Sequence, residues 1–488
     1  MSVPIAIAAP NQVAADAARA VVEAGGGAVD AAIAAAVAAM VSEPGVVSPG
    51  AGAFVTVLAQ QGTPVVYDGY MAVPGLGGAN PNPVQWTASM AYGGGVSTVV
   101  GPASVAVPGA WAAFGEAHRK HGRIAWQEVL DPVVHAAEEG TPLGTTSALY
   151  LTDSFEPIFS RDPAGSRALA PDGTLVNPGT PVVVEGLARS LRHLAAVGAD
   201  DFYRGTLARD IARDLWNRGS HLSMADLEAF RSELRQPLQI RLGEWNLETN
   251  PVPAVGGAAL AAILGRAWGK GTAELIRAQH AVYAWRRGGG DTGTDRTESI
   301  ESFLQDNGGM RSASTAQVST AGDGVVCAIT LSAGYGSGII PSGTGMWMNN
   351  GLGEVELVGD PTRLAPGTRL NSNMAPTVGR HPDGRMLAIG SPGADRITSA
   401  LAQTLLHIEA GATADEAIAA PRVHVDVGHT VRVAYEPGVE MPPHEYDELA
   451  YDEPHMYFGG VGLAMQLPNG DVEAATDPRR NGVALVAG

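Results

Sequence analysis

The sequence is poor in lysine: only Lys120 and Lys270 occur among its 31 basic residues, against 50 acidic ones, for a formal net charge of −19. So acidic a chain repels nucleic acid and anionic membrane surfaces, and neither is expected as a partner. Cysteine is rarer still. Cys327 stands alone, which excludes an internal disulfide and fits a reducing, cytoplasmic setting. Flanked by Val326 and Ala328, it reads as a small buried hydrophobe rather than a reactive thiol. No apolar run is long enough to span a bilayer. The opening MSVPIAIAAPNQVAAD has no basic segment followed by an apolar one, so no secretory signal is expected. Aromatic residues make up only 6% of the chain, yet a hydrophobic content of 45% over 488 residues supplies an ordinary large core.

What is abundant is alanine and glycine, in patterns. Asn11 to Ala24 and Ala28 to Val41 are two Ala-rich helical stretches separated by Gly25, Gly26 and Gly27, with Asn11 as the expected N-cap of the first. The second is apolar on every face, so both its sides should be covered. The strands Ala53 to Ala59 and Thr63 to Tyr67 are expected to pair across Gln60, Gln61 and Gly62. Farther on, His118, His121 and His135 stand at helical spacings, but no third ligand type lies near them and no metal site is expected. The run Arg286 to Arg311 is rich in Gly, Asp, Thr and Ser and reads as an exposed loop.

The most informative stretch follows that loop. Thr315 to Thr320 and Val325 to Leu331 are β-rich and flank the turn Ala321, Gly322, Asp323, Gly324, which makes a hairpin whose first strand opens on a hydroxyl residue. A threonine there needs no explanation beyond β-propensity. The Gly-rich GYGSG follows the second strand. Next comes PSGTGMWMNN, where glycines permit close backbone approach and Asn349 and Asn350 suit hydrogen bonds to main chain.

The succession TAQVS, GDG, strand, GSG, SGTG and NN resembles the start of the small subunit in the gamma-glutamyltranspeptidase family. EAGGGAVDAAIAAAVAAMVSEP is similar to that family's opening, with Gly27 replacing its Asn, and further similar segments run along nearly the whole chain. The resemblance implies an α+β fold, the four-layer αββα sandwich of N-terminal nucleophile hydrolases. It implies a large α subunit of residues 1–314 and a small β subunit of residues 315–488 from one precursor, a small-molecule substrate, no cofactor and no metal, and it leaves room for a higher oligomer. Thr315 falls at the nucleophile. Ser314 competes, because counting without a gap in the turn selects it. Thr315 is preferred because a one-residue deletion in a hairpin turn is easier than a shift of strand register. Cleavage between Ser314 and Thr315 would free an α-amine whose ordinary pKa of about 8 suits it as base for its own hydroxyl.

Carried over position by position, Gly393 and Ala394 in GSPGAD fall where the family has two glycines whose amides bind the oxyanion. Alanine keeps its N–H, so the site survives if the backbone tolerates a Cβ. Ser332 falls where a hydroxyl supports the nucleophile. Ser372 falls where a serine touches the substrate carboxylate, and Asn373 beside it is counted with the substrate-binding residues.

The departures lie in the glutamyl-binding half. The family's D-x-R-E segment, whose arginine holds the α-carboxylate, is here YDGYMAVP, with Tyr70 and Met71 in place of Arg and Glu. Positions that hold the substrate amine fall on Ala333 and Gly351, which leaves Glu354 as the one partner for a positive charge. The expectation is therefore an enzyme that keeps the catalytic threonine and rebuilds its acyl pocket. In this it is similar to the family members of alkylproline-antibiotic pathways (lincosamides, pyrrolobenzodiazepines), which are assigned carbon–carbon bond cleavage. An amidase or ordinary glutathione hydrolase is the first alternative. An unprocessed binding protein is the second, and it would run as one band on a denaturing gel.

Overall fold

The computed structural model describes residues 3–91, 95–287, 315–428 and 430–488. Two antiparallel sheets stack face to face. The first has seven strands in the spatial order Val483–Ala487, Ile5–Ala9, Ala316–Gly322, Val325–Ser332, Gly52–Ala59, Val65–Gly69 and Glu233–Arg235. The second has six, in the order Val472–Thr476, Gly462–Gln466, Met386–Gly390, Thr377–Arg380, Trp245–Thr249 and Leu238–Leu242. Between them lies a buried apolar layer rich in small side chains, among them Ala6, Ala321, Ala328, Ala388 and Ala464. Small residues let the two sheets approach closely, and Ser319 spans the gap, its hydroxyl donating to the Gly462 carbonyl at 3.0 Å.

Helices cover both outer faces. Ala28–Ser42 lies on the hairpin strands of the first sheet, and Gln12–Glu23 packs beside it. All fifteen residues of the longer helix are buried, as an apolar-all-round pattern requires. Asn11 caps the shorter one, its side chain accepting from the Ala14 amide at 2.9 Å. Gly256–Ala267, Gly271–Arg287 and Arg396–Glu409 cover the second sheet. The four layers are thus αββα. Each sheet combines strands from before residue 288 with strands from after residue 314, so scission of the chain between them would leave both sheets intact.

Some sequence expectations shift. The first hairpin strand begins one residue later than expected, at Ala316, and runs two residues further, to Gly322, because the turn is only two residues: Asp323 and Gly324 both take positive φ, 51° and 71°, the mirror-image turn that matches strand twist. Arg286 and Arg287 end a helix rather than begin a loop, and Arg286 is fully buried, hydrogen-bonded to Asn373. The rest of the loop expected up to Arg311 lies outside the described residues. The three histidines diverge: His118 bonds the Ile124 carbonyl, His121 the Tyr67 hydroxyl, and His135 faces Glu139. Among the described residues no group of metal-ligating side chains gathers, and no helix is long and apolar enough to cross a membrane. Cys327 is buried, and burial pushes its thiol pKa up.

One buried acid gives the fold a pH dependence. Glu248, in the strand Trp245–Thr249, has a carboxylate oxygen with no partner among the described residues, and burial pushes its pKa up to about 7 against the pull of Arg380. A carboxyl raised in the folded state destabilises the fold as pH climbs from the unfolded value of 4.5 through about 7. Glu248→Gln is therefore expected to raise Tm at pH 8 by a few degrees, on the order of 2–4 °C, with the gain vanishing near pH 4.5; calorimetry at the two pH values checks this.

Candidate active site

The hairpin aims Thr315. Its strands pair Ala316 with Leu331 through Gly322 with Val325, so the register carried one step back sets Thr315 opposite Ser332. Ser332 in turn pairs with Gly52, and Ala53 with Gly69, which continues the row to Tyr70. Residues in one row of an antiparallel sheet share a face. Thr315, Ser332, Gly52 and Tyr70 thus lie in a line across four strands. Tyr70 reaches back along that line because Gly52 has no side chain: a Cβ there would fall 2.9 Å from the Tyr70 ring. The hydroxyl then hydrogen-bonds Ser332 and Ser372, and the ring stacks on Phe54 at 5.4 Å. Burial, helped by the charge of Glu354, holds the Tyr70 hydroxyl well above its ordinary pKa, so it remains a protonated donor.

The second half of the site comes from the other sheet. The strand Met386–Gly390 runs into the turn Ser391 to Asp395 and then the helix Arg396–Glu409. Gly393, at φ 125°, donates its amide to Thr315 Oγ1 at 3.3 Å. Ala394 follows at φ 62°, in the left-handed region that an alanine seldom enters. Ser391 steadies the turn by accepting from the Gly460 amide at 3.2 Å while donating to the Pro392 carbonyl at 2.8 Å. The turn leads into the start of a fourteen-residue helix, an end whose dipole favours negative charge.

Strain at Ala394 is testable. Removing its Cβ relieves on the order of 1 kcal/mol, and the extra freedom of glycine in the unfolded chain offsets about as much. Ala394→Gly is expected to change Tm by no more than about 2 °C and to keep activity. Ala394→Val, branched at Cβ, cannot hold the left-handed turn, and turnover is expected to fall at least about tenfold. Equal turnover by the valine variant would remove this turn from the chemistry.

The remaining expected positions are brought together around Tyr70, not around open space. Gly351 has no room for a side chain, since a Cβ would meet Met71 Sδ at 2.8 Å and Ala106 at 3.1 Å. Ala333 and Glu354 are buried beside it. Ser372 Oγ accepts from the Met374 amide at 3.2 Å, and Asn373 carries the bond from Arg286. Ser314 lies outside the described residues. The small clefts at Thr315 are lined instead by residues that sequence reasoning missed: Thr146, Tyr150, Met456 and Arg480. The tandem arginines of TDPRRNG were the available signal, but nothing local tells which of the two faces the threonine.

A family model for gamma-glutamyltranspeptidase matches residues 14–270 and 266–487. The glutathione hydrolase proenzyme of Pseudomonas aeruginosa is 27% identical, across 99% of this chain and 94% of its own. The acylase ACY 1 proenzyme of Pseudomonas sp. strain V22 is 28% identical, across 83% of this chain and 79% of its own. Among solved structures, the cephalosporin acylase from Bacillus halodurans superposes with a TM-score of 0.78 at 24% identity, covering 99% of this chain and 95% of that one. The LmbA2991T421A structure also reaches 0.78, at 19% identity, covering 100% and 98%. At those identities the two structures establish the fold alone. Matched by the family model over nearly its whole length, the chain belongs to the gamma-glutamyltranspeptidase family of hydrolases and transferases.

Proposed function

We propose that this enzyme is a self-processing threonine hydrolase with an acyl pocket that no longer recognises the γ-glutamyl head group, acting on an intermediate of specialised metabolism. The observation that carries the reading is the placement of Thr315 at the head of a central strand with the Gly393 amide 3.3 Å from its hydroxyl oxygen. Scission before Thr315 frees its α-amine and yields subunits of residues 1–314 and 315–488. The hydroxyl then attacks a substrate carbonyl and gives its proton to that amine. The oxyanion is received by the amides of Gly393 and Ala394. Collapse of the tetrahedral intermediate expels the leaving group, which takes the proton, and water releases the acyl group from Thr315.

The leaving group is an amine or a stabilised carbanion, so the bond broken is an amide or a carbon–carbon bond. The carbon–carbon reading rests on the lost glutamyl contacts at Tyr70, Met71, Ala333 and Gly351, an altered pocket in which this chain resembles the family members of alkylproline-antibiotic pathways. Amide cleavage is the second reading, favoured by the acylase relative. A denaturing gel with mass analysis of each band tests the processing step: two bands are expected, the smaller beginning at Thr315. One band near 50.0 kDa would instead support an unprocessed binding protein.

A further inference from the structure

Two small clefts open beside Thr315, and Arg480 stands in both. One, of about 30 Å³, is also lined by Glu43, Thr146 and Asp477; the other, of about 10 Å³, by Tyr150, Gly393 and Met456. The stem of Arg480 lies flat on Gly460, where a Cβ would come within 2.3 Å of its Cδ. Its Nε donates to the Gly459 carbonyl at 3.2 Å, which fixes the plane of the guanidinium. The two terminal nitrogens have no hydrogen-bond partner among the described residues.

The acids nearby do not use up this charge. Asp477 accepts from Arg422, Arg479 and the Val461 amide. Glu43 accepts from Asn11 at 2.9 Å, and burial pushes its carboxyl above the ordinary range against the pull of Asn11 and Arg480. No ion pair joins Glu43 to Arg480 among the described residues. The contrast with the preceding residue is plain: Arg479 is buried, its guanidinium bonded to Glu436, Asp477 and two backbone carbonyls. One arginine of the tandem holds the fold, and the other stands beside Thr315 with a planar fork whose terminal nitrogens have no partner among the described residues. That fork matches a carboxylate, which it can bind through two parallel hydrogen bonds.

We propose that Arg480 is the substrate-anchoring cation of this enzyme and that its substrate carries a carboxylate. The anchor comes from the wall formed by Thr146, Met456 and Arg480, whereas the wall formed by Tyr70, Ser332 and Ser372 has closed on itself. The inference rests on Thr315 as nucleophile, since the clefts matter only if chemistry occurs there. As they stand, the clefts have room for a water or two. A carboxylate enters by swinging the unbranched Met456 side chain aside while the bond to Gly459 keeps the Arg480 plane in place.

The test uses glutarate, the γ-glutamyl skeleton without its amine, and its neutral counterpart glutaramide, titrated calorimetrically into the full-length protein. Glutarate is expected to bind wild type at least about tenfold more tightly than glutaramide, through charge-assisted bonds. Arg480→Gln should abolish the preference and Arg480→Lys should keep part of it, with circular dichroism checking that each variant is folded. Equal binding of glutarate by wild type and Arg480→Gln, or no binding by either, overturns the assignment. A denaturing gel of the same samples reads the other question separately: Arg480-dependent binding by an uncleaved chain would count against the threonine-hydrolase reading and leave the anion site standing.

Discussion

Thr315→Ala is expected to remain one chain of about 50.0 kDa and to turn over nothing, while the parent protein separates into two bands on a denaturing gel. Both losses have one cause. In the proposed mechanism scission requires the Thr315 hydroxyl to attack the carbonyl of residue 314, and turnover requires the same oxygen to attack the substrate. The α-amine that serves as base exists only after the first event. Removing a nucleophile from such a unit typically costs four or more orders of magnitude, on the order of 6 kcal/mol or beyond. Thr315→Ser keeps an oxygen at the same position and is expected to process, more slowly, because serine lacks the methyl group that restricts χ1. Folding should be unharmed in both, since among the described residues the buried hydroxyl has one long contact, from the Gly393 amide. Mass analysis that placed the new amino terminus at Ser314, or cleavage that persisted in Thr315→Ala, would overturn the assignment.

How far a chain can be read depends on whether the relevant partners are neighbours in sequence. The hairpin was legible because its turn chemistry is local: Asp323 and Gly324 both adopt positive φ. The buried helix Ala28–Ser42 was legible because it has no polar face to turn outward. The substitution of Tyr70 was legible against the family, but its consequence was not. That the ring lies over Gly52 and closes on Ser332 and Ser372 follows from pairing strands far apart in the chain. Met71 and Gly351 likewise are separate departures in sequence and one event in space, because the thioether occupies what would be the side-chain position of residue 351. Arg286 was read into a loop from the glycines after it, whereas the helix carries on through Arg287 and draws the guanidinium into the interior beside Asn373. Arg479 and Arg480 are adjacent and chemically identical; only tertiary contacts separate a buried ion pair from a guanidinium whose terminal nitrogens have no partner among the described residues.

Glutathione and γ-glutamyl anilides are expected to be very poor substrates of the fully processed enzyme. A desolvated bidentate carboxylate contact contributes on the order of 3 kcal/mol, so its absence at Tyr70 lowers kcat/KM by roughly a hundredfold or more. The geometry makes the deficit harder to repair than one substitution suggests. Tyr70→Arg would supply a cation near Glu354 and Asp68, whose charges already reach the Tyr70 hydroxyl. It would supply nothing for the substrate amine, because Ala333 offers no polar group and Gly351 cannot be enlarged while Met71 Sδ stands 2.8 Å from its Cβ position. Tyr70→Arg alone is therefore expected to gain less than about tenfold in γ-glutamyl hydrolysis, leaving most of the deficit in place. Tyr70→Phe isolates the hydroxyl. It frees one bond each at Ser332 and Ser372, should cost about 1 kcal/mol of stability, and should impair turnover of the native substrate by loosening the serine opposite Thr315. The measurements are kcat/KM for γ-glutamyl-p-nitroanilide and Tm on the same processed samples. If wild type turns over the anilide at a rate ordinary for transpeptidases, or if Tyr70→Arg alone restores it, then Tyr70, Met71 and Gly351 do not act as one rebuilt wall.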